Sequence, residues 1–217
     1  MPSFRPAHLR TCVAIVGVCI LGSSLCANTP PPSHVQGLHR AGLGARQVRV
    51  SVRDDQGRVR PEMQPGIAVI KNARWSPNDA ERDGASEFEV LLSAARLLEQ
   101  HALPGLVGIG NQHGAFLPAA ELALSRVAAM GLPVVKVSAA GSVAANDENL
   151  FIEAGTLSTD DAKSLLAECL LSFGTLPPAR NVLSPTADEL AAIRRQVDRY
   201  QAHFDQRSGP GIRIASR

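Results

Sequence analysis

Only four cysteines occur in the 217 residues, and three of them, Cys12, Cys19 and Cys26, precede Ala27. Cys169 stands alone in the remainder, which excludes an internal disulfide there and a cysteine-based metal site. An excess of one charge is lacking too. The 22 basic and 20 acidic residues leave a formal net charge of +2, a surplus that Arg5 and Arg10 account for. A chain neutral beyond its first residues gives no electrostatic basis for nucleic acid or an anionic membrane as partner. The apolar stretch from Thr11 to Leu21 is well short of the ~20 residues that span a bilayer. The histidines His34, His39, His101 and His203 are scattered without metal-ligand spacing, so neither a metal nor a cofactor is expected.

What the first residues do contain is a basic segment, an apolar core and a small-residue end at Ala27. That layout predicts a signal peptide over residues 1–27 and a periplasmic or secreted protein. Residues 28–47, rich in proline and glycine without a period, read as a disordered linker. In the segment 48–65, Val48, Val50 and Val52 alternate with Arg49, Ser51 and Arg53, the period of a half-buried strand. "DDQG" then predicts a turn, with Val59 opening a return strand of a small hairpin.

From Gly66 to about residue 205 strands and helices alternate. "GIAVIKN" is a short apolar run suited to a buried parallel strand. "EFEVLLSAARLLEQH" places Phe88, Leu91, Leu92, Ala95 and Leu98 on one helical face. "LVGI" is the next strand, Phe116 to Met130 a helix stopped by Gly131, and "LPVVKVS" a third strand. "LFIEAGTL" holds one further short strand. Ser158 opens a helix with Asp161 at its third position, and Thr186 opens the last one with Glu189 completing a capping box. Leu190, Ile193, Val197, Tyr200 and Phe204 form the apolar stripe of that helix. Residues 206–217 read as a flexible tail. The order predicts an α/β fold: a small parallel sheet with helices on both faces, a Rossmann-like three-layer arrangement.

Ligands of such sheets bind in the loops after the strand C-termini, and "GIGNQHG" is such a loop. As a dinucleotide fingerprint it is broken, because His113 stands where the last glycine is needed, and a P-loop lysine is missing. Ser138, His113 and Asp147 all fall at strand C-termini, yet "VSAAG" is not a nucleophile elbow. Cys169 lies on the apolar stripe of its helix and reads as a small core residue.

Four segments, in order, resemble the C-terminal domain of bacterial L-asparaginases and glutaminase-asparaginases. "GIAVIKN" resembles that domain's first strand, and "GLVGIGNQHGAFLPAAELAL" its G-x-G-N-G-N turn and following helix. "GLPVVKVSAAG" is similar to the G-x-x-V-V-x-x-S strand. "FIEAGTLSTDDAKSLLAECL" is similar to the ASGTLxPxKARxLLxxAL segment, the most specific of the four. The resemblance runs from Gly66 to Tyr200. It implies a domain that, in two-domain amidohydrolases, reaches into a neighbouring subunit's active site and helps hold the substrate's amino group.

Carried over position by position, the resemblance implies three substrate-binding residues. Asn111 matches the first asparagine of the turn, His113 (or Gln112) the second, and Glu148 (or Asp147) the loop glutamate. The catalytic threonines of the family stand in TGGTI-like and HGTDT-like motifs of the N-terminal domain. None of Thr29, Thr156, Thr159, Thr175 and Thr186 lies in such a motif, and no catalytic residue is assigned. An alcohol without an activating neighbour is a poor nucleophile. The resemblance therefore implies a binding or interaction module without stand-alone activity. The alternative it leaves open is L-asparagine hydrolysis in complex with a neighbouring subunit or a partner chain that supplies the threonines. It further implies a small amino-acid ligand (asparagine, aspartate or glutamine), and either a homo-oligomer or a chain carrying a catalytic domain as partner.

Overall fold

The computed structural model describes residues 32–41, 44–71, 87–111, 114–138 and 150–208. The expected signal peptide lies outside them. Two glycines explain the arrangement of the layers. Gly105 and Gly108 are three apart on one strand, so they face opposite sides of it. A Cβ on Gly105 would meet Leu166 and Leu170 of one helix, and a Cβ on Gly108 would meet Phe116 and Leu124 beside another. Helices therefore press on both faces, and the strand between them is apolar throughout, as a doubly covered parallel strand must be.

That strand is β4 (Pro104–Ile109) in a parallel sheet of four strands ordered β3 (Gly66–Lys71), β4, β5 (Val134–Val137) and β6 (Ile152–Glu153). Gly66 pairs with Pro104, Leu106 with Val134, and Val135 with Ile152. Helices α1 (Glu87–Gln100) and α2 (Pro118–Ala129) pack on each other on one side. Helix α3 (Thr159–Phe173) packs on β4 and β5 from the other, and α4 (Ala187–Ser208) lies against β6 and α3. The predicted α/β class is the observed one.

The helix ends follow the sequence signals. Ser158 Oγ accepts from Asp161 N at 3.1 Å and donates to the Asp161 carboxylate at 2.6 Å. Glu189 accepts from Thr186 N at 2.8 Å while its own N–H donates to Thr186 Oγ1 at 3.3 Å, a closed capping box. The bond from Arg180 N at 3.0 Å and then that from Thr186 N hold the Glu189 carboxyl below its usual range. Gly174 ends α3 at φ 77°, and a side chain there would strike the Gln36 backbone. The Tyr200 hydroxyl donates to its carbonyl. On α4, Ile193, Val197, Tyr200 and Phe204 are buried. Gln201 closes the open edge of β6, accepting from Glu153 N at 2.8 Å and donating to Glu153 O at 3.2 Å.

Four expectations need correction. Residues 34–41, read as linker, form β1 (His34–Ala41), antiparallel to β2 (Gly44–Ser51). The hairpin is stitched to the body. Leu38 N donates to Ala102 O at 2.7 Å, Thr175 N to Gln36 O at 2.9 Å, and Gln47 Nε2 to Leu176 O at 3.0 Å. Val35 and Leu38 are buried but three apart, hence on opposite faces. Both faces of this strand meet protein, so it shows no alternating pattern. Val59, expected to open the return strand, makes one isolated antiparallel bridge to Arg53.

On α1 the buried residues are Val90, Ala94, Leu97 and Leu98, whereas Phe88 is 72% exposed and Leu92 is 37% exposed. The helix carries two adjacent apolar stripes, and contact with α2 and the sheet selects the second. Finally, α4 continues to Ser208, so the first three residues of the expected tail are helical.

Leu38, 2% exposed, lies against Gly131 and anchors the hairpin. Leu38→Ala is expected to cost about 2–5 kcal/mol in urea unfolding. A second expectation concerns alkaline pH. Burial, then the Glu168 charge, pushes the Cys169 thiol from 9.0 up to about 12. Burial likewise raises the Tyr200 hydroxyl. The folded state retains protons that the unfolded chain sheds, so this stability is intact below pH 9 and declines as pH rises towards 12. The decline is up to roughly 1.4 kcal/mol per pH unit for the thiol. Urea midpoints across that range should fall less steeply in Cys169→Ala.

Candidate functional site

Beyond Ile109 the chain leaves β4 and must turn sharply, because α2 begins at Pro118 on the same face that Gly108 opens. Gly110 makes the turn: its N–H donates to Val137 O at 2.9 Å, tying the loop to β5. A Cβ on Gly110 would lie 2.5 Å from the Gly114 backbone, so no other residue fits this close approach. Asn111 closes the loop. Its N–H donates to Ala115 O and its C=O accepts from Gly114 N, both at 2.9 Å. Its side-chain Oδ1 accepts from Ala115 N at 3.0 Å.

Asn111 is thus exposed at the C-terminal edge of the sheet, where the sequence predicts it, with its side-chain oxygen engaged in shaping the turn. His113 and Glu148, and the alternatives Gln112 and Asp147, lie outside the described residues. Ser138 is described and 6% exposed, at the end of β5.

Beneath the turn is a group that sequence reasoning missed. Lys136, in the middle of β5, is 6% exposed. Its Nζ lies 5.2 Å from the centroid of the Phe116 ring and 5.9 Å from that of Phe151, with Glu121 Oε1 at 3.8 Å. The two rings meet edge to face at 6.4 Å. The ammonium is therefore held by two ring quadrupoles and a longer-range carboxylate in place of water. Phe116 couples it to the turn, since this residue directly follows Ala115 and packs against Gly108. The signal was present in the sequence: a lysine in "VVKV", where both faces of the strand should be apolar.

Three of the four described threonines, all but Thr159, serve backbone or capping groups. Thr156 Oγ1 donates to Ser208 O at 3.0 Å. Buried Thr175 donates to Gln36 O at 3.4 Å, and Thr186 caps α4. Among the described residues no three His, Cys, Asp or Glu side chains group as a metal site, and no helix is long and apolar enough to cross a membrane. No family model, no curated protein and no solved structure matches the chain.

The Lys136–Glu121 pair is asymmetric, because the lysine side chain is 8% exposed and the glutamate side chain 37%. Lys136→Met leaves a carboxylate that can reach water, and stability should stay within about 1 kcal/mol of the parent or rise. Glu121→Ala leaves a buried cation without its counter-charge, and should cost roughly 1–3 kcal/mol. Thermal or urea unfolding of the two variants tests this ordering.

Proposed function

We propose that this chain is a binding or docking module of the type that forms the C-terminal domain of L-asparaginases and glutaminase-asparaginases, exported, and without amide hydrolysis of its own. The observation that carries the reading is the Asn111 turn. It sits at the C-terminal edge of a parallel sheet, the edge where such sheets take ligands. Its order along the chain, strand, glycine turn, helix, strand, is the order the resemblance implies.

The threonines support the second half of the reading. Thr156, Thr175 and Thr186 each spend their hydroxyl on a backbone or capping bond. The one buried lysine, Lys136, faces two phenyl rings and Glu121. An activated threonine needs a base within hydrogen-bond reach. Thr186 Oγ1 does donate to the Glu189 carboxylate at 3.1 Å. That carboxylate also accepts from Arg180 N and Thr186 N, which hold it below its usual range and make it a poor base. The ligand is a small amino acid, asparagine, aspartate or glutamine, held through Asn111 with His113 and Glu148.

The exposed apolar side chains Phe88 and Leu92 on α1 and Leu122 on α2 favour a companion reading. The two helices form one layer, and these residues suit contact with another subunit or a chain that brings the nucleophile.

Incubating the purified chain with asparagine or glutamine should release ammonia no faster than a buffer blank. In a titration with aspartate, the Asn111 and Ala115 amide resonances should shift, and Asn111→Ala should abolish the response. Turnover by the chain alone would overturn the reading. So would an aspartate titration that moves neither amide.

A further inference from the structure

The opposite edge of the sheet carries a second feature, independent of the Asn111 turn. The hairpin is stitched to Ala102, Thr175 and Leu176, which follow the C-termini of α1 and α3 and so lie at the N-terminal ends of the strands. Between the hairpin, the residues after α3 and the outer face of α4 is an open hollow of about 580 Å³. Its polar lining includes Gln36, Gln47, Thr175, Arg195, Asp198 and Arg199, with Gln196, whose amide already serves Phe173 O and Arg199. The volume is in the range of small-molecule sites.

The walls are built. Thr175 N and Oγ1 both donate to Gln36 O, at 2.9 and 3.4 Å, and Gln47 Nε2 donates to Leu176 O at 3.0 Å. The charges above them, two arginines and one aspartate, form no ion pair with one another. Arg195 and Arg199 stand four apart on α4, where like charges face and repel each other. Arg199 makes a 3.3 Å contact to Gln196 Oε1. No hydrogen bond or ion pair of Arg195 or of Asp198 is found among the described residues. The helix thus carries two guanidinium groups four residues apart over a hollow, with the Asp198 carboxylate in the same lining but in ion-pair contact with neither.

We propose that this hollow binds the phosphate group of a small hydroxylated molecule. A carboxylate is matched by one guanidinium fork, whereas a tetrahedral dianion presents oxygens to two at once and removes their mutual repulsion. The Gln36 amide adds a neutral donor. The Asp198 carboxylate and Gln47 Oε1, the oxygen of an amide whose nitrogen is already committed, are acceptors for hydroxyl groups of the same ligand.

The full chain would be titrated with inorganic phosphate, glycerol 3-phosphate, glycerol and succinate at matched ionic strength, followed by amide and guanidinium resonances. Phosphate and glycerol 3-phosphate should give saturable shifts at Gln36, Gln47, Arg195 and Arg199, with glycerol 3-phosphate the tighter of the two. Arg195→Ala and Arg199→Ala should each weaken binding about tenfold or more. Arg194→Ala, an exposed neighbour outside the lining, should leave it unchanged, and thermal unfolding of all three should match the parent. The proposal fails if no shift saturates by about 10 mM phosphate. It fails equally if succinate binds as tightly as phosphate, or if the Arg195→Ala/Arg199→Ala double variant responds like the parent.

Discussion

Coverage of β4 on both faces at contact distance is the constraint on which the rest of the molecule depends. Gly105 admits Leu166 and Leu170 of α3, and Gly108 admits Phe116 and Leu124 from the α2 side. A side chain at Gly105 would push the Leu166 and Leu170 methyls aside, and one at Gly108 the tip of the Phe116 ring, so the cover of β4 would loosen. Because the faces are closed, only the two edges of the sheet remain for loops. Everything with chemical potential follows from that: the Asn111 turn at the C-terminal edge, and the hairpin with its hollow at the N-terminal edge.

Polar groups are fitted to this frame with few loose ends. Gln201 takes both backbone groups of Glu153 at the short edge strand, and Tyr200 reaches the carbonyl of the glycine that ends α3. The hairpin replaces solvent around the ends of α1 and α3 with backbone bonds to Ala102 and Gln36. Lys136 is the exception, an ammonium placed inside the apolar layer. Phenyl rings and a carboxylate at 3.8 Å offset its desolvation beneath the Asn111 turn.

In the proposed role, Asn111 serves structure and recognition together. Its oxygen accepts from Ala115 N, which shapes the turn, and the residue is exposed where ligands of parallel sheets bind. The threonines resolve differently. Each described hydroxyl that makes a bond does so to the backbone or to a capping partner, and the strongest cationic neighbour of the site, Lys136, is turned to aromatic faces. These two facts are why the proposed role is holding or docking, with bond cleavage assigned to another chain.

Local signals in the sequence determined the strands β3, β4 and β5, the helices α2, α3 and α4, and the caps at Ser158 and Thr186. Each rests on a period, a glycine or a side chain acting within four residues of itself. The turn at Asn111 was legible for the same reason, since Gly110 and Gly114 are neighbours in sequence as well as in space. Tertiary structure alone decided three matters: that residues 34–41 form a strand, that α1 buries Val90 and not Phe88, and that Lys136 lies between two rings. Each depends on a surface supplied from elsewhere: the ends of α1 and α3, the flank of α2, and Phe151 beyond β5. A strand covered on both faces has no alternation, and a helix with two apolar stripes has no unique inner side. A lysine in an apolar strand flags a buried charge, but only the groups that surround it decide how that charge is held.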